Sequence, residues 1–247
     1  MPLGLPDDVR GFLFDMDGVL TRTASVHAAA WKETFDQFLS ERDGENFVPF
    51  DAVEDYDRYV DGRSRADGTR GFLKSRGITL PEGEPADRPG TATVFGLSNR
   101  KNEILLDKLA HGRVEVFEDA VHYVRAVAAA GFPRAVVSAS ANTAQVLASA
   151  GIDGLFDARV DGIVAAERKL AGKPAPDMFV AGAELIGLRP GEAAVFEDAL
   201  SGVESGRAGG FAFVVGVDRV GQADALRDHG ADLVVTDLTA LLREGAR

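Results

Sequence analysis

Short apolar runs that stop abruptly on polar residues alternate with segments of helical period along most of this chain. Phe12-Leu13-Phe14 reads as a buried strand that ends on Asp15-Met16-Asp17-Gly18. From about Val116 onward the two patterns take turns, as they do in a parallel α/β sheet. Residues 120–130 predict an alanine-rich helix closed by Gly131, followed by a strand over 135–137 that stops at Ser138-Ala139-Ser140. Asn142 is placed to cap the next helix, which carries Val146 and Leu147 and ends at Gly151. A helix over 177–185, a strand over 193–196 that runs into Glu197-Asp198, and a helix over 201–208 follow. Residues 211–215 and 233–235 predict two more strands, and 238–243 a last helix.

Residues 23–115 break that rhythm. They predict helices over 26–39, 67–76 and 99–109, joined by loops rich in glycine, proline and charge, notably 81–89. The expected organisation is a doubly wound, Rossmann-like parallel sheet built from 1–22 and 116–247. A helical unit of 23–115 is inserted after the first strand. No internal repeat or long low-complexity segment interrupts it.

Composition narrows the class. An apolar content of 45% and a charged content of 27% over 247 residues are those of a soluble globular protein. No apolar run reaches membrane-spanning length, and the N-terminus lacks the pattern of a signal peptide. The absence of cysteine excludes disulfides and thiolate metal sites. A cytoplasmic monomer with no membrane partner is expected. The net charge of −12 argues against a nucleic-acid binder, and it obliges any anionic substrate to be met by locally placed cations.

In an open parallel sheet, ligands bind beyond the carboxyl ends of the strands. Four predicted strand ends or following loops carry distinctive groups there: Asp15 with Asp17, Ser138 with Ser140, Lys173, and Glu197 with Asp198. An ionised carboxylate can act as a nucleophile without first losing a proton, and a second one two residues away can shuttle protons. Asp-x-Asp-Gly also occurs in calcium loops, but those need a preceding helix, a third ligand before the glycine and a distal glutamate, none of which is present here. Four carboxylates in one place are unstable unless a cation joins them or some of them protonate. Oxygen-only ligation suits Mg²⁺. Lys173, in Gly172-Lys173-Pro174-Ala175-Pro176, offers a further positive charge, or else a surface lysine ahead of a helix. Ser138 could donate to a phosphate oxygen, while a turn or cap role is the plainer reading of Ser138 and Ser140. A free carboxylate, a hard cation, a lysine and small hydroxyls fit phosphoryl transfer.

Asp15-Met16-Asp17-Gly18-Val19, Ser138, Lys173 and Glu197-Asp198 stand in the order of four motifs of the haloacid dehalogenase superfamily, which the chain resembles along nearly its whole length. The resemblance is strongest to the β-phosphoglucomutase subgroup and its sugar-phosphate phosphatase relatives. It implies Asp15 as nucleophile and metal ligand, and Asp17 as acid/base with its main-chain carbonyl on Mg²⁺. Glu197 and Asp198 complete the metal site. Thr21-Arg22-Thr23-Ala24-Ser25-Val26-His27 resembles the mutase segment in which a threonine and a histidine set the acid/base residue; here these are Thr23 and His27. Ser140 and Asn142 fall where the mutases contact substrate or phosphate. Val60-Asp61-Gly62-Arg63-Ser64-Arg65 resembles the mutase specificity loop, with Gly62 and Arg65 matching and Arg65 implied to hold the distal phosphate. Aspartate stands at 61 where the mutase pattern has lysine. The implied partner is a small phosphorylated sugar. The implied reaction is a β-phosphoglucomutase-type isomerisation of glucose 1-phosphate to glucose 6-phosphate through an aspartyl-phosphate, or else hydrolysis by a sugar-phosphate phosphatase.

Overall fold

The computed structural model describes residues 2–111 and 114–244. Residues 1, 112–113 and 245–247, which the sequence reading assigned to the two units, lie outside the described residues. The chain divides into two compact units: Met1–Arg22 with Val114–Arg247, and Thr23–Arg113.

The first unit opens with strand β1 (Gly11–Phe14), buried along its whole length. The chain then leaves for the second unit, which contains helices α1 (Ala24–Asp43), α2 (Arg65–Ser75) and α3 (Val94–His111). Their apolar faces close on an aromatic core. The Trp31 and Phe35 rings stack at 5.0 Å, and Phe35 meets Phe72 at 4.1 Å. A single wide helical turn, Tyr56–Val60, leads into Asp61-Gly62, where Gly62 takes a left-handed φ of 68° that suits the absence of a Cβ.

Back in the first unit, α4 (Glu118–Ala129) precedes β2 (Arg134–Val137), α5 (Thr143–Ala150), β3 (Ala158–Val160), α6 (Gly162–Arg168) and α7 (Asp177–Leu185). Then come β4 (Ala193–Glu197), α8 (Leu200–Ala208), β5 (Phe213–Val217), α9 (Ala223–Asp228), β6 (Leu233–Val235) and α10 (Ala240–Glu244). All pairings are parallel, in the order β3-β2-β1-β4-β5-β6. Strand alternation splits the core between the two faces. Leu13, Ala135, Val137 and Val160 pack with Met178 and Phe179 of α7 and with Val203 of α8. Phe12, Phe14 and Phe196 meet Tyr123 of α4, with centroids 5.4–6.3 Å from its ring.

β1 lies where the order of the sheet reverses, between β2 and β4, which is the usual crevice of a doubly wound fold. In the β1–β4 register Phe14 faces Phe196, so Asp15 and Glu197 are the next residues on adjacent strands. The Asp15 N–H donates to the Phe196 carbonyl at 2.9 Å.

Several expectations need correction. β3, α6 and α9 were not foreseen. β3 is only three residues long, with Arg159 at its centre, and shows no apolar run. α6 is capped by the Asp161 carboxylate, which accepts from the Ile163 and Val164 N–H groups at 3.0 Å. Asn142 occupies the N-cap position of α5 but does not cap it with its side chain, because its backbone is already near the helical region. β5 starts two residues later than the apolar run, because Phe211 is taken up by a ring contact with Phe179 at 6.0 Å and the Ala212 N–H by the Pro190 and Ala193 carbonyls.

Candidate active site

The carboxyl ends of β1 and β4 converge on one acidic centre. Ligand oxygens of Asp15, Glu197 and Asp198 all lie within 4.8 Å of one another, and all three residues are buried. Lys173 reaches the same point from the loop before α7, with its ammonium fully buried. Nζ donates to Asp15 Oδ1 at 2.5 Å and to Glu197 Oε1, and stands 4.9 Å from the centre of the Phe179 ring. The other Glu197 oxygen accepts from the Ala199 N–H at 2.9 Å. Lys173 is therefore no surface lysine.

Burial governs the electrostatics. It pushes the Asp15 carboxyl up to about 6, against the ammonium of Lys173, with the Asp17 charge pushing the same way. It pushes Glu197 up to about 7, again against Lys173. Burial alone would lower the Lys173 pKa, but Asp15 and Glu197 outweigh it and hold the lysine charged. With all three acids ionised, three carboxylates against one ammonium would leave two negative charges, which a divalent cation would balance. The donor set is all carboxylate oxygen, at a spacing one small ion can bridge, so the residues present fit Mg²⁺.

Asp17 stands two residues beyond Asp15, half-buried, in the turn that the left-handed Gly18 closes. Its main-chain N–H donates to the Asp15 carboxylate. Gly18 is required for a further reason: a Cβ there would collide with the Asp198 carboxylate. A Cβ on Gly202 would likewise collide with the carboxylate of Glu197. The acids thus sit against bare backbone, a feature no spacing rule announces.

Ser138 is buried at the end of β2, whose register places it alongside the β1 terminus. Its hydroxyl accepts from the Ser140 N–H at 3.2 Å, which leaves its own proton to donate. The Ser140 hydroxyl accepts from the Asn142 N–H at 3.2 Å, so Ser138, Ser140 and Asn142 form successive steps of one turn.

The other predicted binding residues belong to the helical unit. Thr23 is buried at the start of α1, and its carbonyl accepts from the His27 N–H at 2.9 Å. The Arg65 carbonyl accepts from the hydroxyls of Thr69 at 2.9 Å and Ser98 at 3.2 Å, which fixes the start of α2. Burial lowers the Arg65 pKa. Lys101 of α3, also buried, places Nζ 3.1 Å from His27 Nδ1 and 5.1 Å from the centre of the Trp31 ring. Burial, and then the charges of Lys101 and Arg65, hold the His27 pKa well below its ordinary value, so the imidazole is neutral near pH 7. Lys101 donates to Nδ1, and the ring proton stays on Nε2. The two residues stand 74 positions apart, and no local pattern links them.

Fold and charged centre together define an α/β enzyme with a helical insertion. The description haloacid dehalogenase-like hydrolase matches residues 9–210, and the chain belongs to that family. It is 56% identical over 246 residues to a β-phosphoglucomutase of Mycobacterium bovis, covering 97% of this chain and 94% of that one. Hexitol phosphatase A of Escherichia coli is 31% identical, over 93% and 91% of the two chains. The solved β-phosphoglucomutase of Clostridium difficile superposes with a TM-score of 0.75 at 24% identity, over 96% of this chain and 95% of that one, a likeness of fold. No helix among the described residues is long and apolar enough to cross a membrane.

Proposed function

We propose that this enzyme is a Mg²⁺-dependent sugar-phosphate mutase that converts β-glucose 1-phosphate to glucose 6-phosphate through a phosphorylated Asp15. The observation that carries the reading is the gathering of Asp15, Glu197 and Asp198 around the Lys173 ammonium. The likeness to the Mycobacterium bovis mutase favours isomerisation over hydrolysis.

The chemistry follows from the side chains. An Asp15 oxygen attacks phosphorus as the bond from phosphorus to the sugar oxygen breaks. Asp17, as the free acid, gives its proton to that departing oxygen. In the second half the 6-hydroxyl of a β-glucose 1-phosphate attacks the phosphorus of phospho-Asp15 and surrenders its proton to Asp17, which restores the Asp15 carboxylate and leaves a glucose bisphosphate for the next round. Lys173 offsets the charge of the phosphate oxygens as one anion approaches another. Ser138 donates its hydroxyl proton to a phosphate oxygen, and Ser140 and Asn142 shape the turn beside it. The carboxylates of Asp15, Glu197 and Asp198 and the main-chain carbonyl of Asp17 would hold Mg²⁺, which would supply further neutralisation of phosphate charge. In the helical unit, Arg65 is the cation for a second phosphate, Gly62 shapes its loop, and Thr23 and His27 orient the substrate.

Hydrolysis by a phosphatase has one observation in its favour: aspartate rather than lysine at position 61. One assay separates the two. With β-glucose 1-phosphate, Mg²⁺ and a trace of glucose 1,6-bisphosphate, the mutase yields glucose 6-phosphate and almost no free phosphate. Stoichiometric phosphate release would overturn the mutase reading.

A further inference from the structure

The two loops that carry the acids come from strands far apart in sequence, and a third loop grips both. This is the turn Asp218-Arg219-Val220-Gly221-Gln222, which follows β5. The Asp218 carboxylate ties the turn to itself, accepting from the N–H groups of Val220 at 3.1 Å, Gly221 at 2.7 Å and Gln222 at 2.9 Å. Arg219 points towards the β1 loop. Its Nε and Nη2 donate to the carbonyls of Gly18 and Val19, each at 3.4 Å. The same guanidinium pairs with Asp119 at 3.1 Å, donates to the Thr236 carbonyl at 2.9 Å and lies 3.9 Å over the Phe117 ring. Gln222 points towards the β4 loop, where Nε2 donates to the Asp198 carbonyl at 3.0 Å. The gripped loops touch where Gly18 meets the Asp198 carboxylate.

We infer that Arg219 and Gln222 are positioning residues. Through one self-capped turn they set the spacing between the loop of Asp15 and Asp17 and the loop of Glu197 and Asp198. Neither side chain contributes a carboxylate to the acidic centre. What they hold is main-chain carbonyl, beside the acids rather than on them. A slack turn would let Gly18 drift from Asp198 and widen the cluster. Arg219 also knits α4 to the segment that follows β6, which alone would make it a plain structural residue. Among the described residues the Gln222 side chain makes no second hydrogen bond of this kind, and it therefore carries the sharper test.

The inference rests on the proposed phosphoryl transfer, so turnover is best scored as total phosphate leaving the sugar phosphate, whichever acceptor takes it. A phosphatase result would then refute the mutase reading while still testing the turn. Gln222→Met keeps the length of the side chain and removes the donor. It should weaken Mg²⁺ binding, read by calorimetry on the full chain without substrate, by about tenfold. It should also lower kcat at saturating Mg²⁺, with KM within about twofold of wild type and an unchanged melting temperature. Arg219→Met should lower kcat, and Arg219→Lys, which can still donate to one carbonyl, should recover part of the loss. Unchanged Mg²⁺ affinity and kcat in Gln222→Met would overturn the inference. So would losses that only track a fall in melting temperature across all three variants.

Discussion

Lys173 shows how much one buried charge decides. Its ammonium meets Asp15 and Glu197 away from water, and burial still lifts both carboxyls well above their ordinary range. The folded metal-free protein therefore keeps protons that the unfolded chain gives up near pH 4. The stability this brings is present below that pH and is lost as pH rises through about 6 and then about 7. Lysine lowers both carboxyl pKa values, so Lys173→Met raises them further. In metal-free buffer the melting temperature of Lys173→Met should trail wild type only slightly at pH 5, where the acids can take up protons. The gap should widen steadily to pH 8, where unpaired carboxylates would be buried. With Mg²⁺ and substrate, the role proposed for Lys173 beside the phosphate oxygens should make kcat fall by about 10²- to 10³-fold. A uniform shift in melting temperature across pH would contradict the assigned pairing.

At the scale of elements, the β1 turn and the β4 turn work as a matched pair, with Gly18 as the point of closest approach. Gly18→Ala adds one methyl group at a φ of +91° and drives it into the Asp198 carboxylate. The variant should retain its secondary structure by circular dichroism and lose at least about a hundredfold in kcat/KM, because about 1 Å of misplacement costs that much. What the sequence disclosed about these elements had a physical pattern behind it. An apolar run that stops on acids is visible in Phe12-Leu13-Phe14-Asp15, and β1 lies there. α7 and β6 were legible to the residue, since a proline-bounded start and a clean apolar triplet mark them. β3 was not, because an edge strand needs only one buried neighbour and Arg159 could occupy its middle. α6 does carry a local signal, Asp161 two residues ahead of Ile163-Val164, where its carboxylate caps the helix. The pairing of Lys101 with His27 and the grip of Gln222 on the Asp198 carbonyl depend on tertiary distance, which leaves no trace in local spacing.

At the scale of the whole molecule, a chain of net charge −12 must admit a substrate that is itself anionic. Its field repels the sugar phosphate over distances comparable to the screening length, about 10 Å at 0.1 M salt. At fixed free Mg²⁺, kcat/KM should therefore rise about twofold between 10 and 150 mM ionic strength, with kcat unchanged. A fall would mean that the local cations rule the encounter. The connectivity has a consequence of its own. Leu20 to Arg22 on the way out and Glu115 to Phe117 on the way back run side by side, joined by the Thr21–Val116 bridge and by hydrogen bonds from Arg22 to Glu115 and from Phe117 to Leu20, each 2.9 Å. The helical unit thus leaves and rejoins the first unit at one paired exit and return, and no strand of the sheet lies within it among the described residues. One helical segment could be swapped for another of different length at that paired exit and return without rerouting any strand of the sheet.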